Sequence, residues 1–233
     1  MLTILIPTYE EKNNIQKIVY ELYKILHKIK FKIIFIDDNS QDDSLSEFKK
    51  IKKLYTNVDY IIRKEKDRDL TLSFLLGLSN VKTEYVCLTD CDLQHDIKKI
   101  PLMLSKIVNQ NYDLVIGSRF KNRKEKVDLN FYRLLNSRVG ILLSKLIGIK
   151  DIFDPLSGFF IFKTKILRST EKKIFTKGFK ILLTILFLTK NKINVYEIET
   201  EFFSRKYGKS KLNFKTKINF LKQIITLFFY KNT

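Results

Sequence analysis

The sequence predicts an α/β fold in which a mostly parallel, doubly wound sheet is flanked by helices. Three observations support this prediction. Short apolar runs alternate with segments of helical spacing over the first 117 residues. Two of the apolar runs end directly in carboxylates, at the position where open α/β sheets bind ligands. The chain has 233 residues, 45% of them hydrophobic, which is enough for one large domain with a sizeable core.

The first half of the chain supplies the predicted parallel strands and their crossover helices. Strands are predicted at residues 2–6, 32–36, 58–62, 84–88 and 113–116. Helices are predicted at residues 11–29, 44–54, 70–78 and 97–108, where apolar residues recur at helical spacing. Right-handed crossovers between parallel strands would bring residues 7–11, 37–40 and 90–92 to one edge of the sheet.

The second half of the chain has a less regular pattern. Helices are predicted at residues 131–147, 179–188 and 213–230, and a strand at residues 193–198. A turn at residues 154–160 leads into a further strand, and residues 204–211 form a basic loop that contains a glycine. The last helix is amphipathic, with a Phe- and Leu-rich side and lysines beside it.

The chain carries a formal net charge of +19, from 44 Lys and Arg residues against 25 Asp and Glu residues. This excess favours an anionic partner: a nucleotide, a nucleic acid or an acidic membrane surface. Part of the excess positive charge reflects a general abundance of lysine, because many of these lysines are expected to be solvated surface side chains. A basic nucleic-acid-binding protein is a remote alternative, because the sequence has no RNA-binding aromatic motif, zinc pattern or clear helix-turn-helix.

The cysteines and the start of the chain are typical of a cytoplasmic protein. Cys87 and Cys91 are the only cysteines, and their spacing across a predicted strand end does not suit a disulfide. A reducing compartment therefore fits best. The first residues enter a strand directly, without the basic and then apolar stretch of a signal peptide. No window of 18 residues is free of charge, so no transmembrane helix is predicted.

The most informative stretch is residues 88–96, where a predicted strand ends in Asp90 and Asp92. In an extended chain, residues i and i+2 point to the same side. Two carboxylates on one side attract a hard divalent cation, which takes oxygen ligands and bridges readily to a diphosphate. Gln94 adds an oxygen two residues further on. The pattern predicts a Mg²⁺ or Mn²⁺ site, with a solvated acidic turn as the alternative interpretation.

Seven short motifs occur in order along the chain. They are IPTYEE at residues 6–11, IDDNS at 36–40, RDL at 68–70, DCDLQH at 90–95, GSR at 117–119, DPLSGF at 154–159 and RKYGKSK at 205–211. Together they resemble glycosyltransferase family 2, the inverting enzymes of the GT-A fold, and in particular its polyprenol-phosphate (dolichol-phosphate) mannosyltransferases. The resemblance implies a catalytic domain over residues 1–212, with residues 213–233 as an appended amphipathic helix.

The resemblance implies a donor-binding part of the site. The matching positions are Pro7, Tyr9, Glu11, Asp38 and Asp90. The first three would line the nucleotide pocket, Asp38 would contact the base or ribose, and Asp90 would contact both the nucleotide and the metal. Each position taken alone also has a structural interpretation: a strand-ending proline, a carboxylate at a helix N-terminus or a turn-forming aspartate.

The resemblance also implies a set of residues that bind the acceptor phosphate: Arg119, Arg133, Ser137, Arg205 and Lys211. Arg133 and Ser137 lie four residues apart on one helix face, and the loop with Arg205 and Lys211 would close over the diphosphate. A polyprenyl monophosphate is largely ionised near neutral pH, since its second pKa resembles the value of about 6 for phosphoserine. It can attack without a base, but the protein must then hold two anionic groups close together with cations and a metal.

Asp154 has three interpretations. It would orient the sugar, act as a base in an enzyme with a hydroxyl acceptor, or cap the turn at Pro155. His27 and His95 have no partner that suggests catalysis, so both are expected to be structural or surface residues. The implied catalytic residues are Asp90, Asp92, Arg119, Arg205 and Asp154.

The expected function is metal-dependent, inverting transfer of a sugar to a polyprenyl or dolichyl monophosphate, with GDP-mannose as the leading donor. The alternatives are a glucosyl-, N-acetylglucosaminyl- or aminoarabinosyl-transferase with the same acceptor class, and a family 2 enzyme that acts on a polysaccharide hydroxyl. No nucleic acid partner is expected. The protein is expected at the cytoplasmic face of a membrane, where its last helix would lie on the bilayer, pack on the core or dock on a separate membrane subunit.

Overall fold

A computed structural model of the chain describes residues 1–65, 68–121, 131–171, 180–190, 192–205, 207 and 214–231. These residues contain seven strands: β1 (Leu2–Thr8), β2 (Phe31–Asp37), β3 (Val58–Ile62), β4 (Tyr85–Leu88), β5 (Leu114–Ser118), β6 (Phe160–Lys163) and β7 (Val195–Glu199). They form one sheet in the order β3-β2-β1-β4-β6-β5-β7. Every neighbouring pair is parallel except those that include β6. The predicted mostly parallel α/β fold is confirmed.

The described α-helices are α1 (Lys12–Ile25), α2 (Ser44–Leu54), α3 (Leu70–Ser79), α4 (Ile100–Gln110), α5 (Phe131–Leu146), α6 (Thr164–Glu171), α7 (Ile181–Leu188) and α8 (Phe214–Lys231), and a short 3-10 helix, Ile97–Lys99, precedes α4. Helix α1 ends four residues before the predicted limit of 29, because the chain must turn before β2 begins at Phe31. The sequence pattern does not predict α6, since its eight residues span too few turns for a helical period to stand out.

Buried apolar side chains cover both faces of the sheet. One layer lies under α1, α2 and α4 and includes Ile18, Phe48 and Met103. The other lies under α3, α7 and α8 and includes Phe74 and Leu183. Burying each such side chain contributes about 1.5–3 kcal/mol, so both layers hold the sheet rigid beneath the loops at its edge.

Strand β6 is antiparallel to both of its neighbours. Its first residue, Phe160, pairs with Leu88 of β4 and with Ile116 of β5, each close to the carboxyl end of its strand. The chain therefore enters β6 at the same edge of the sheet at which β4 and β5 end. This arrangement brings the turn at residues 154–159 to the edge that carries the acidic motif.

Helix α8 has one buried face and one exposed face. Gln223, Ile224 and Leu227 are buried, whereas the side chains of Leu221 and Phe229 are 52% and 65% exposed. Among the described residues, no helix combines the length and the apolar character needed to cross a membrane.

Candidate functional site

The carboxyl ends of β1, β2 and β4 meet at one edge of the sheet, as the crossover argument predicted. The amide of Asp38 donates to the carbonyl of Thr8 over 2.9 Å, which ties the turn after β2 to the end of β1. The amide of Thr89 donates to the carbonyl of Leu5 over 3.2 Å, which ties the end of β4 to the same strand. The motifs that follow these strands are therefore neighbours in space.

Each of the three turns contains a residue other than glycine in the left-handed region of the backbone. These residues are Glu10 (φ 51°), Asn39 (φ 61°) and Leu93 (φ 58°). Asparagine adopts this conformation readily, but leucine does so only at a cost of about 1–3 kcal/mol. Leu93 lies between Asp92 and Gln94, so the strain falls within the predicted metal-binding motif, where it turns the chain sharply.

Asp90 and Asp92 lie close enough to influence each other's ionisation. Burial and then the charge of Asp90 raise the pKa of Asp92. Partial burial opposes ionisation of Asp90 as well, but a hydrogen bond from His95 and the charges of Lys180 and Arg205 hold its pKa below the usual value. Two neighbouring carboxylates of this kind are stabilised by a cation.

Arg205 is a cation in contact with the acidic side chains at this edge of the sheet. Its guanidinium is 2.5 Å from Oδ2 of Asp92, 3.4 Å from Oε1 of Gln94 and 3.8 Å from Oε1 of Glu11. In the described part of the chain, no three His, Cys, Asp or Glu side chains converge as a metal site. The predicted donor set consists instead of two carboxylates and one amide oxygen, which is a set that suits Mg²⁺ or Mn²⁺. The guanidinium shows that a positive charge can lie between Asp92 and Gln94, and the chemistry of the donor set fits the metal.

The side chain of His95 contacts the carboxylate of Asp90. Its Nε2 atom is 3.2 Å from Oδ2 of Asp90, and its ring stacks on Phe159 with a centroid distance of 5.4 Å. A Cβ atom placed on Gly158 would lie 3.3 Å from both Asp90 Oδ2 and His95 Nε2. The glycine in this motif therefore allows the backbone to pass close to the acidic cluster. His27, by contrast, is exposed on the surface.

Asp38 is hydrogen-bonded to Arg63 and Asp69, two residues outside the motif at residues 36–40. Its Oδ1 atom accepts from Nε of Arg63 over 2.6 Å, and its Oδ2 atom accepts from the amide of Asp69 over 2.9 Å. Burial raises the pKa of Asp38, and the Arg63 charge opposes that shift. Arg63 is itself buried, and a single arginine after a strand offers no pattern by which sequence reasoning could have found it.

Tyr9 and Glu11 lie on the loop that follows β1. The Tyr9 hydroxyl donates to Glu10 over 2.6 Å, and the Arg68 guanidinium lies 4.2 Å from the centre of the Tyr9 ring. Glu11 is buried and accepts from the amide group of Asn14 over 2.5 Å. A planar aromatic side chain beside a cation, next to the carboxylates, is an arrangement able to receive a nucleotide.

Arg119 and Asp154 form a buried, bidentate ion pair. Nε and one Nη atom of Arg119 donate to the two carboxylate oxygens over 2.7 and 2.8 Å, and its amide donates over 3.1 Å. Burial alone would raise the pKa of Asp154, but Arg119 holds it below its usual value. Glu197 of β7 accepts from the amide of Asp154 over 2.9 Å, and it is a partner that local sequence does not reveal.

The remaining acceptor-site predictions fall on α5 and the basic loop. A Cβ atom on Gly140 would lie 2.5 Å from Leu156, so α5 packs tightly against the turn that carries Asp154. Ser137, one turn earlier on the helix, is half-buried. The side chain of Arg133 and the whole of Lys211 lie outside the described residues. Their predicted roles stay predictions.

The sequence matches the profile of glycosyl transferase family 2 over residues 3–170. This chain belongs to glycosyl transferase family 2. It is 30% identical to a dolichol-phosphate mannosyltransferase of Pyrococcus furiosus, an alignment that covers 97% of this chain and 63% of that protein. It is 29% identical to a dolichol-phosphate mannosyltransferase of Saccharomyces cerevisiae, with 98% and 87% of the two chains covered. The predicted family and the particular resemblance within it are confirmed.

Solved structures of glycosyltransferases have the same fold. Glucosyl-3-phosphoglycerate synthase from Mycobacterium tuberculosis, in complex with Mn²⁺ and UDP-glucose, superimposes with a TM-score of 0.70 at 13% identity. The superposition covers 99% of this chain and 78% of that protein. The GT-A fold expected for a member of the family is thereby confirmed.

Proposed function

We propose that this family 2 glycosyltransferase transfers mannose from GDP-mannose to a polyprenyl or dolichyl monophosphate, with inversion and with Mg²⁺ or Mn²⁺. The observation that carries the proposal is that the carboxylate of Asp154 is buried and paired with Arg119. Its carboxylate is fully buried and both oxygens accept from Arg119. A carboxylate engaged in this way is a poor proton acceptor, which favours an acceptor that arrives already ionised.

The acidic edge of the sheet is the part of the site suited to the donor. Asp90, Asp92 and Gln94 would hold the divalent ion, which supplies positive charge to the diphosphate when bound. Tyr9 and the Asp38–Arg63 pair form the wall that would receive the nucleoside. These residues would hold the donor at the edge of the sheet that also carries the turn at residues 154–159.

The cations beside that turn are the part of the site suited to the acceptor. Arg119 has a fixed direction because Asp154 holds it at two atoms, and Arg205 lies on the neighbouring carboxylates. Two phosphate groups brought together repel each other, and preorganised cations lower the energy of that arrangement. Arg133, Ser137 and Lys211 would complete the phosphate site.

The relatives support the choice of donor and acceptor, because both proteins named above are dolichol-phosphate mannosyltransferases. The chain spans 63% of the length of the Pyrococcus furiosus relative. The experiment that tests the proposal is a product assay. The protein would be incubated with GDP-mannose, UDP-glucose or UDP-N-acetylglucosamine and with farnesyl phosphate, and the products identified by mass. Mannosyl phosphoprenol is the expected product. A product that carries a sugar other than mannose, or the absence of any glycosylated farnesyl phosphate, would reject the proposal.

The acceptor assignment of α5 makes a kinetic prediction. Arg133→Ala is expected to raise the KM for farnesyl phosphate about tenfold or more, and Ser137→Ala about threefold to tenfold, because charged hydrogen bonds to phosphate are the stronger ones. The KM for GDP-mannose should change little. Arg138→Ala is the matched control, since Arg138 is exposed on the same helix. An increase confined to the donor KM would contradict the assignment.

A two-helix surface is suited to membrane contact. Helices α5 and α8 pack together, and both expose large apolar side chains at intervals of three and four residues. On α5 they are Tyr132, Leu135, Val139, Leu142 and Leu146, and on α8 they are Ile218, Leu221, Ile225, Phe228 and Phe229. The exposed Lys217 and Lys222 lie beside them. We place this surface against the cytoplasmic leaflet, with residues 1–212 as the catalytic unit, in preference to a separate membrane subunit.

The membrane assignment predicts a loss of vesicle binding. The double change Phe228→Ser and Phe229→Ser is expected to weaken binding to phosphatidylserine-containing vesicles about tenfold or more, because each phenylalanine loses apolar burial. High salt should weaken the wild type, since each lysine contributes about 1 kcal/mol near an anionic surface. Sedimentation with vesicles measures both effects. Leu54→Ser is the control, because Leu54 is 70% exposed on α2; equal loss in both variants would contradict the assignment.

A further inference from the structure

Phe202 is a buried aromatic residue that follows β7, at the edge of the sheet that carries the site. The amide of Thr200 donates to the carbonyl of Ser118 over 3.0 Å, so the chain that leaves β7 continues beside the end of β5. Phe202 then pairs with His95 through an antiparallel bridge. These backbone bonds fix Phe202 between the residues that follow β5 and those that follow β4.

On the β4 side, the ring of Phe202 contacts the imidazole of His95. The two ring centres are 5.3 Å apart and the planes meet at 74°, which is the edge-to-face geometry that aromatic pairs favour. Phe159 stacks on the same imidazole with a centroid distance of 5.4 Å. Two rings therefore limit the orientations of His95 and keep its Nε2 atom directed at Oδ2 of Asp90, 3.2 Å away.

On the β5 side, the same ring lies next to the guanidinium of Arg119. The central carbon of that guanidinium is 5.5 Å from the centre of the Phe202 ring and 5.1 Å from the centre of the Phe120 ring. A cation over an aromatic face at such distances is attracted by the ring quadrupole. Asp154 accepts hydrogen bonds from one edge of the guanidinium, and the rings restrict the tilt of its plane about those bonds.

We propose that Phe202 is a positioning residue for both parts of the site, because one ring orients Arg119 for the acceptor phosphate and His95 for its contact with Asp90. This inference rests on the proposed function. A side chain that only filled the space between the ends of β4 and β5 would contribute to stability alone. The quadrupole of the ring distinguishes the two roles, since an aliphatic side chain fills much of the same space without it.

The test measures both ligands in variants of Phe202. Phe202→Leu is expected to raise the KM for farnesyl phosphate about threefold to tenfold, because Arg119 loses its contact with the ring. Its affinity for GDP in the presence of Mn²⁺, measured by titration calorimetry, should fall about twofold to tenfold, because His95 loses an aromatic neighbour. Phe202→Tyr keeps the ring and should restore most of both values.

A trifluorinated phenylalanine at position 202 tests the quadrupole with the shape of the ring nearly unchanged. Fluorine withdraws the negative charge from the ring face, so the KM for farnesyl phosphate should rise in the same direction as in Phe202→Leu. The Tm should change little, and this variant gives a result even if Phe202→Leu does not fold.

Phe48→Leu is the matched control for destabilisation. Phe48 is equally buried, on α2, where its ring contacts Phe35 and Tyr60, so its loss should lower Tm without changing either ligand constant. If Phe202→Leu behaves like Phe48→Leu, or if only one of the two ligands is affected, the inference is overturned. Binding of farnesyl phosphate that depends on Phe202, without any mannosyl product, would reject the proposed function instead and leave the inference standing.

Discussion

Asp92→Ala is expected to reduce sugar transfer by about a thousandfold or more while the protein stays folded. The proposed divalent ion supplies several kcal/mol of charge stabilisation, and each 1.36 kcal/mol corresponds to about a tenfold change in rate. Asp92 lies at the edge of the sheet rather than in its apolar layers. Arg205, its partner, retains Gln94 and Glu11 as neighbours in the variant.

Metal binding and activity should be lost together in this variant. A Mn²⁺ titration in the presence of GDP measures the affinity for the metal without turnover. Circular dichroism reports whether the fold is retained. Asp59→Ala is the matched control, because Asp59 forms surface ion pairs with Lys32 and Lys52 far from the motif and should contribute about 0–1 kcal/mol. Full activity of Asp92→Ala in the presence of a chelator would rule out the metal site.

Asp154→Ala is expected to lower the free energy of unfolding by about 3–5 kcal/mol, since it leaves Arg119 buried without its partner. Arg119→Met should lower the free energy of unfolding by a similar amount, because it leaves the Asp154 carboxylate buried without its partner. Transfer activity should be lost in both, because Arg119 is either absent or no longer oriented. Urea unfolding and the product assay measure these two consequences separately.

The double variant Arg119→Met/Asp154→Leu distinguishes stability from function. Replacing both members of a buried pair by apolar side chains of similar volume is often neutral, so most of the stability should return while activity does not. Asp154→Asn tests the alternative of a catalytic base. If that variant kept its stability and its acceptor KM and lost only kcat, Asp154 would act on a proton rather than on Arg119.

The parts of the fold that follow from local pattern could be predicted from the sequence. The alternation of strands and helices, together with right-handed crossovers, was enough to bring Asp38 and Asp90 to one edge. The antiparallel direction of β6 could not be predicted, because a short apolar run has the same pattern in a parallel strand and in an antiparallel strand. The paired strands decide its direction, and those contacts are distant in sequence.

The same distinction applies to the site. Asp90, Asp92 and Gln94 were predicted as a metal site from the alternation of an extended chain, whereas β4 ends at Leu88 and Leu93 turns the chain between the last two of them. Their role in metal binding stays a prediction. The ion pair between Arg205 and Asp92 joins residues that lie 113 positions apart, and the hydrogen bond between Gln223 and Lys180 joins residues 43 apart. No periodicity encodes such pairs. They depend on how the helices and loops pack after the sheet has formed.

At the proposed metal site, the contact between Arg205 and Asp92 would make metal binding an exchange of one cation for another. The proposed divalent ion would have to displace the guanidinium, so its affinity would be reduced by the free energy of the existing ion pair. A nucleotide diphosphate that accepts the displaced guanidinium offsets this loss. By reciprocity, each of the two ligands then raises the affinity of the other by the same factor. On the proposed function, the acidic edge of the sheet would therefore take up the ion and the nucleotide as a pair.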